Sequence, residues 1–302
     1  MTAALILAAG EPARQGAWQA RTQVGTISAI QRIVLVFQRA GIERIAVVCA
    51  QGEDETKKLA SHMNLVFLES PANASLLENV KVGLEYLQDK CSRVLISHVD
   101  VPLVSVETIC TLLAARGAVC VPSYHGSEGQ PMLLQAEHIP AVLSYQGEGD
   151  LAEAVHCAGL PCRMMAVEDA GVLPGIREEQ EEARLIAEHD LSRLRPDFRL
   201  RLMREKAFYG PGTHLLLQLT QEAGSLLEAC RQMGISYSKG RKMIAATERQ
   251  MGCAVIESQQ GGKTGGRSVL TEQGKALIRS YSAFSAEAGQ MLEELFKKHF
   301  GN

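Results

Sequence analysis

A glycine turn close to the amino terminus holds the first residues that could take part in chemistry. The apolar run Ala4–Ala9 predicts a β-strand, and it leads directly into Gly10 and then Arg14. Open parallel sheets bind ligands at the carboxyl ends of their strands, where backbone N–H groups are free to bind phosphate. A turn of this kind could hold a nucleotide, with the arginine adding positive charge. The candidate nucleotide-binding residues here are Ala8, Ala9, Gly10 and Arg14.

A carboxylate follows another predicted strand. Asp100 comes shortly after the apolar run Val94–Ser97. Carboxylate oxygens are suitable ligands for Mg²⁺, so one interpretation of Asp100 is a metal ligand. The alternative is a structural one, in which Asp100 caps a helix or turn, Arg14 pairs on the surface, and the domain binds nothing.

A second group of candidate residues lies in the last hundred residues. The apolar periodicity predicts helices over Leu226–Met233 and Ser236–Met251, separated only by Gly234 and Ile235, which is the spacing of a helix-turn-helix. Serine stands at the N-cap position of each helix. In such a motif the first turns of the second helix enter the major groove of DNA. The DNA-binding candidates of this motif are Ser225, Ser236, Tyr237, Ser238, Lys239, Arg241 and Lys242.

A glycine-rich segment after the second helix adds two more basic residues. It separates two short β-prone runs, predicts a hairpin, and carries Lys263 and Arg267. Either residue alone would be interpreted as an ordinary charge on the solvent-exposed surface. Together with the compact turn and the basic helix they favour a wing that contacts DNA.

The elements that must position these residues divide the chain in two. Short apolar runs alternate with helical patterns in the first part, which predicts an α/β domain with a parallel, Rossmann-like sheet and helices on both faces. The later part is mostly helical. Five arginines within the twelve residues 193–204 mark the change. We predict an N-terminal domain over residues 1–195, a basic linker over 196–207 and a C-terminal winged helix-turn-helix domain over 208–302.

The final predicted helix carries an apolar stripe. Its members recur at helical spacing, and they are Leu277, Tyr281, Phe284, Ala288, Met291 and Leu295. So long a stripe on a small domain favours pairing with the same helix of a second copy, as in a homodimer. It could instead dock on the N-terminal domain.

The composition and the distribution of charge fit this division. The 302 residues are 46% apolar and 22% charged, which is typical of globular proteins. From Arg193 onward 17 Lys and Arg stand against 10 Asp and Glu, whereas the earlier part is acidic. The eight cysteines show no metal-binding spacing and suit buried thiols in a reducing compartment. The amino terminus lacks the pattern of a signal peptide or membrane span, so we predict a cytoplasmic protein without a membrane partner.

Residues 208–284 resemble the DNA-binding domain of the ModE-type molybdate-responsive regulators. The motifs that carry the resemblance are GSxxxAC at Gly224–Cys230, MGxSYxK at Met233–Lys239 and GGKxGG at residues 261–266. This resemblance implies a LysR-like winged helix that binds palindromic double-stranded DNA as a dimer.

The N-terminal part resembles the MobA/MocA-type nucleotidyltransferases, which attach GMP or CMP to the molybdenum cofactor. The pattern LAAGxxxRxG starts at Leu7, and Asp100-Val101-Pro102, Gly129-Gln130-Pro131 and Gly147–Asp150 fall where that family has its later motifs. The resemblance implies that Asp100 holds Mg²⁺ on the triphosphate, that Arg14 stabilises part of the charge that develops as pyrophosphate leaves, and that CTP or GTP and a molybdopterin are the ligands. Asn79 stands where relatives often have a serine near the base.

Two departures from that family bear on catalysis. Gln19 stands where the family has a phosphate-binding lysine, and Arg21 could replace it only if the loop shifts. Arg177 and Glu178 stand where the family supplies a further acidic metal ligand. Each missing charge would cost about 2–4 kcal/mol of transition-state stabilisation.

Three hypotheses follow. The first is a transcriptional regulator linked to molybdenum or molybdopterin metabolism, whose inactive nucleotidyltransferase-like domain serves as sensor or dimer platform. The second is a bifunctional cytidylyl- or guanylyltransferase that also regulates genes. The third is an adaptor whose N-terminal domain binds a partner protein.

Overall fold

The computed structural model describes residues 1–9, 18–60, 62–174, 179–191, 194, 196, 198–259 and 267–300. The chain divides into two compact units, Met1–Ser192 and Arg193–Asn302.

Unit 1 is an α/β unit. Its elements are β1 (Thr2–Leu7), β2 (Gln23–Val24), β3 (Ile27–Ser28), α1 (Ala29–Arg39), β4 (Arg44–Ala50), α2 (Asp54–Ala60), β5 (Val66–Ser70), α3 (Leu76–Leu87), β6 (Arg93–His98), α4 (Val106–Ala114), β7 (Val119–Tyr124), β8 (Ser127–Glu128), β9 (Met132–Gln135), α5 (Ile139–Ser144), α6 (Leu151–Cys157), β10 (Cys162–Ala166) and α7 (Glu179–Leu191). Short 3₁₀ turns at Ala136–His138 and Ala170–Val172 complete the unit.

The main sheet has the order β10-β7-β9-β6-β1-β4-β5, with β8 paired to β7. Strand β1 lies inside it, parallel to β4 and to β6. Its side chains alternate between two cores: Ala4 and Ile6 pack with α1 and α4, whereas Ala3, Leu5 and Leu7 pack with α3, α5 and α6. Helices therefore cover both faces, as the near-continuous apolar runs of these strands require.

The predicted parallel sheet holds only in part, because the sheet is mixed. Strand β9 runs antiparallel to both of its neighbours, β6 and β7. Only seven residues separate Tyr124 from Met132. A parallel crossover needs a dozen or more residues, so this short connection can only return the chain in the opposite direction. The left-handed backbone of His125 and Gly126, with φ of 50° and 80°, makes that turn.

Close packing brings α3 to the carboxyl end of β1. A Cβ on Gly83 would lie 2.2 Å from the Leu5 side chain, so glycine is required where the helix crosses the strand. Ser75 caps the helix by accepting a hydrogen bond from the Glu78 N–H at 3.2 Å, and the Glu78 carboxylate accepts from the Ser75 N–H at 2.6 Å. This capping box fixes where α3 starts.

A buried arginine holds α7 on α1. Arg32 is fully buried; its Nε donates to the Val24 carbonyl at 2.5 Å, and its Nη1 lies 3.0 Å from His189 Nδ1 and 2.7 Å from Asp190 Oδ1. The last turn of α7 is thus tied to the hairpin of β2 and β3 and to α1.

Unit 2 is mostly helical. Its elements are β11 (Leu202–Met203), β12 (Ala207–Tyr209), α8 (Pro211–Ala223), α9 (Leu226–Gln232), α10 (Tyr237–Met251), β13 (Ile256–Gln259), β14 (Arg267–Leu270) and α11 (Glu272–Phe300). Strands β13 and β14 pair antiparallel, so the predicted hairpin is present. The Glu248 carboxylate of α10 accepts hydrogen bonds from the N–H groups of Val255 and Ile256, which fixes the start of the hairpin.

Two packing features hold the helices of unit 2. Gly240 lies against α9, where an added Cβ would come within 2.3 Å of Cys230 Sγ. In the third turn of α11, Tyr281 packs edge-on against Tyr209 and donates a hydrogen bond to the Leu200 carbonyl at 2.9 Å. No helix among the described residues is long and apolar enough to span a membrane.

Candidate functional site

A cleft of about 650 Å³ opens in unit 1 at the carboxyl ends of β1, β4 and β6. This is the edge at which parallel strands of open α/β sheets place their ligands. The lining residues come from the end of β1, the segment before β2, the end of β4, the segment before α3 and the end of β6. They are Ala8, Ala9, Trp18, Gln19, Ala20, Arg21, Ala50, Glu53, Ala72, Asn73, Ala74, Ser75, Leu76, His98 and Val99.

Two of the predicted nucleotide-binding residues, Ala8 and Ala9, line this cleft. The Ala8 N–H is used within the sheet, since it donates to the Val48 carbonyl at 2.9 Å. Asn79 lies directly behind Ala9: its Nδ2 donates to the Ala9 carbonyl at 3.4 Å, while its Oδ1 is buried with no hydrogen-bond donor. Asn79 and Ala9, both predicted to bind the nucleotide, therefore lie next to each other, and their binding role stays a prediction.

Asp100 is buried and lies beside His98. Only 3% of Asp100 is exposed, and its Oδ1 is 2.9 Å from His98 Nδ1. The same Nδ1 accepts a hydrogen bond from the Asp100 N–H at 3.3 Å. Apart from this ring nitrogen, the described residues offer Asp100 Oδ1 no hydrogen-bond donor. His98 is held from behind by Gln130, whose Oε1 accepts from the His98 N–H at 2.8 Å.

Asp100, the predicted magnesium ligand, is not among the described residues that line the cleft. Mg²⁺ is bound through one or two carboxylates together with substrate phosphates. Asp100 offers one acceptor, but His98 lines the cleft and Asp100 does not. The described part of the chain contains no group of three His, Cys, Asp or Glu side chains that could hold a metal ion. The proposed role of Asp100 as metal ligand stays a prediction.

The cleft contains one arginine among its described lining residues, and it is paired. Arg21 forms an ion pair with Glu55, and both side chains are largely exposed. Gln19, in the position where a lysine was expected, also lines the cleft and is neutral. Glu53 adds an acidic group to the same lining.

Sequence reasoning missed most of the lining residues, among them Trp18 and His98. Neither belongs to a motif. His98 reaches the cleft because the sheet order brings the end of β6 next to the end of β1, whereas Trp18 lies in the segment before β2. Four predicted residues lie outside the described part of the chain: Gly10, Arg14, Arg177 and Lys263. Glu178 lies outside it as well.

The second candidate site is the start of α10 in unit 2. Ser236 caps the helix by accepting from the Lys239 N–H at 3.2 Å, and Ser225 caps α9 through the Glu228 N–H at 3.4 Å, so both predicted caps are confirmed. The residues that follow the α10 cap are exposed with the exception of Gly240, and they are Tyr237, Ser238, Lys239, Arg241 and Lys242. One exposed end of a helix therefore presents three positive charges and two hydroxyl groups.

The hairpin adds one further described cation. The Arg267 side chain is exposed, and the backbone of Arg267 lies opposite that of Gln259 in the hairpin. The N–H of the next residue, Ser268, donates to the Gly224 carbonyl at 2.9 Å, which anchors β14 at the junction of α8 and α9.

Comparisons with known proteins agree with the fold of unit 1. Residues 4–162 match the MobA-like NTP transferase domain family. A nucleotidyl transferase from Methanothermobacter thermautotroptrophicus superposes with a TM-score of 0.53 at 17% identity, over 64% of this chain and 99% of that one. Rv0371c from Mycobacterium tuberculosis H37Rv gives a TM-score of 0.50 at 16% identity, over 62% and 97% of the two chains. At these identities the likeness concerns the fold.

A curated relative matches over a shorter stretch. The molybdenum-pterin-binding protein MopB of Rhodobacter capsulatus is 32% identical over 96 residues, which are 32% of this chain and 36% of that protein. The chain therefore spans little more than a third of the length of this relative.

Proposed function

The chain belongs to the MobA-like NTP transferase domain family through its residues 4–162, and from that premise we propose that it is a DNA-binding regulator of molybdenum-cofactor metabolism. In this proposal the family domain binds a ligand without efficient nucleotidyl transfer, and unit 2 is a winged helix that binds double-stranded DNA. The described geometry of unit 2 supports the second part, and that of the cleft supports the first.

The observation that carries the DNA-binding function is the exposed start of α10. Lys239, Arg241 and Lys242 lie on its first turns, directly after a tight turn from α9 and a capped first residue. A recognition helix presents this end to the major groove, where Lys and Arg reach phosphates and guanine edges. The hairpin of β13 and β14 follows in the position of a wing, with Arg267 exposed.

The link to molybdenum rests on two likenesses. The family domain is MobA-like, and the relative MopB is named for binding a molybdenum pterin. A palindromic operator and a homodimer complete the proposal. The exposed side chains of α11 support the dimer, since Phe284, Met291 and Leu295 are each at least half exposed.

The DNA-binding function is tested by replacing Lys239 and Arg241 with alanine. The double variant should bind duplex DNA more weakly, and the slope of log K against log salt should fall by about one for each phosphate that the variant no longer neutralises. The probe is the duplex upstream of the chain's own reading frame, with random-sequence duplex as competitor, in gel shifts at several salt concentrations.

Arg249→Ala is the matched control. Arg249 is exposed at the opposite end of the same helix, so its loss removes a positive charge without touching the first turns. An unchanged affinity and slope in the double variant, or an equal loss in the control, would show that the start of α10 does not contact DNA.

The second candidate function, a bifunctional transferase, is favoured by the family membership and by the cleft at the expected sheet edge. We expect the protein with Mg²⁺, CTP or GTP and molybdopterin to release little pyrophosphate, because Gln19 adds no charge to the cleft. Restoring lysine at Gln19 and aspartate at Arg177 should raise the rate by more than the two single changes combined, because both act on one triphosphate.

Gln19→Met controls for side-chain length without adding charge. Robust pyrophosphate release by the unmodified protein would establish the bifunctional enzyme and overturn the proposal of an inactive domain.

A further inference from the structure

The outer face of α10 carries two side chains that point away from the rest of unit 2. Gly240, Ile244 and Thr247 are buried and mark the inner face of the helix. An α-helix has about 3.6 residues per turn, so successive side chains are about 100° apart round its axis. Lys242 and Ala245 therefore lie on the side opposite the buried residues, and both are exposed.

Two further cations lie on the flanks of the same helix. Lys239 and Arg241 are each about 100° round the axis from the buried face, in opposite directions. Both are exposed. Among the described residues, no acidic side chain forms an ion pair with Lys239, Arg241 or Lys242. The first two turns of α10 thus present one cation on the outer midline and one on each flank.

The major groove of duplex DNA offers different groups to these positions. The groove is about 12 Å wide, with base edges along its floor and a phosphate backbone on each side. A helix that lies in the groove directs the midline of its outer face at the floor and its flanks at the two backbones. Base edges differ from one base pair to the next, whereas the phosphates carry no sequence information. Midline side chains therefore determine sequence preference, and flank side chains supply affinity for any duplex.

The two midline side chains match two chemical features of base edges. The Lys242 ammonium can donate hydrogen bonds to guanine O6 and N7, and the Ala245 methyl group can contact the 5-methyl group of thymine. The two residues are about 4.5 Å apart along the helix axis, since each residue adds about 1.5 Å. Successive base pairs are about 3.4 Å apart along the duplex axis. Both side chains can therefore contact neighbouring base pairs.

We propose that Lys242 and Ala245 determine which DNA sequence the chain binds, through a guanine and a neighbouring thymine, and that Lys239 and Arg241 contact phosphates. The inference rests on the proposed function, because it requires the start of α10 to lie in the major groove. It adds the division of roles among the residues of that helix, which the proposed function leaves open.

Selection from a pool of random duplexes tests the role of Lys242. The full chain selects the preferred sequence, and Lys242→Gln is put through the same selection. Glutamine recognises N6 and N7 of adenine, so one G·C pair of the selected sequence should become A·T while the other positions stay the same. Affinity of this variant for the parent's sequence, measured by gel shift, should fall about tenfold.

A change in the DNA tests the role of Ala245 without altering the protein. Replacing a thymine by uracil removes only its 5-methyl group. At the pair next to the selected guanine, this replacement should weaken binding of the parent several-fold, and at a thymine outside the selected sequence it should have no effect. Ala245→Gly should bind the thymine and uracil duplexes equally well, because it lacks the methyl group that distinguishes them.

The flank residues provide the matched controls. Lys239→Ala and Arg241→Ala should each weaken binding of every duplex by the same factor and lower the slope of log K against log salt by about one. The sequence that each of them selects should be that of the parent.

Three results would overturn the inference while leaving DNA binding intact. They are a selected sequence that Lys242→Gln does not change, a selected sequence that either flank variant changes, and binding of the parent without any sequence preference. A parent chain that binds no duplex at all in the gel shifts refutes the proposed function and this inference together. The failure of one is therefore distinguishable from the failure of the other.

Discussion

Gly240 sets the distance between α9 and α10. An alanine there would place its Cβ 2.3 Å from Cys230 Sγ, and both residues are buried. We expect Gly240→Ala to destabilise unit 2 by about 1–3 kcal/mol through overpacking. Cys230→Ala in the same chain should recover most of that loss, because it removes the atom that the new methyl group meets. Chemical denaturation of the four chains of this double-mutant cycle measures the coupling.

If Gly240→Ala unfolds at the same denaturant concentration as the parent, α9 and α10 can move apart without loss of folding free energy. In that case the exposed start of α10 would not be held rigidly against α9, and the DNA-binding proposal would lose its structural support.

Residues whose role depends on local sequence could be predicted, whereas those that depend on the assembled fold could not. Ser225 and Ser236 were identifiable as caps because each precedes a helical pattern. Trp18 and His98 were missed because their neighbours in the cleft come from distant parts of the chain. The pairing of Arg21 with Glu55 was likewise invisible, since 34 residues separate them.

At the scale of elements, a cluster around His214 joins α8, α11 and β12. His214 Nδ1 lies 2.9 Å from the Tyr209 hydroxyl and its Nε2 lies 3.0 Å from Ser282 Oγ, while Tyr281 packs on the ring. Burial lowers the pKa of His214 to about 4. The folded protein therefore keeps this histidine neutral at pH values where the unfolded chain, with an ordinary pKa of about 6.5, is protonated.

Unit 2 should lose stability as the pH falls from about 6.5 to about 4. The contribution of His214 is fully present above the unfolded pKa and declines by on the order of 1 kcal/mol per pH unit, because its ring is partly exposed. Denaturation monitored by circular dichroism across this range measures the effect. His214→Gln should flatten the pH dependence. Subtracting the variant's curve from the parent's leaves the contribution of His214, because the other titrating groups are common to both proteins. Parallel curves would contradict the assignment.

Helices and strands with a strong apolar pattern were predicted with small shifts at their ends. The helix predicted over Leu226–Met233 ends one residue earlier, at Gln232, and the helix predicted over Ser236–Met251 begins one residue later, at Tyr237. The helix Asp54–Ala60 was missed because it is short and mostly charged or polar. The direction of β9 was missed because a strand's own residues do not specify whether it runs parallel or antiparallel to its neighbours. Here the short connection from β7 determines the direction.

At the scale of the whole molecule, α11 presents apolar side chains that its own unit leaves exposed. Phe284, Met291, Leu295 and Phe300 are 52%, 64%, 51% and 68% exposed. If this face pairs with a second copy, Met291→Asp with Leu295→Asp should turn a dimer into a monomer and weaken DNA binding, because a palindromic site rewards two half-site contacts. Sedimentation velocity measures the oligomeric state of the parent and of the double variant.

Gln290→Asp is the control, because Gln290 is exposed on the same helix away from this stripe. A dimer that survives the double variant would place the interface elsewhere on the chain.

The position of β9 has a consequence for synthesis of the chain on the ribosome. Strands β4, β5 and β6 each pair with a strand made earlier, so the sheet can grow by one strand at a time as far as His98. Strand β7 cannot continue this order, because β9 lies between β6 and β7 and is made later. Until Met132–Gln135 has emerged, the apolar segment Val119–Tyr124 has only the two-residue strand β8 as a partner. The nascent chain therefore passes through an interval in which one apolar strand awaits its neighbour, and this is the stage at which a chaperone would protect it.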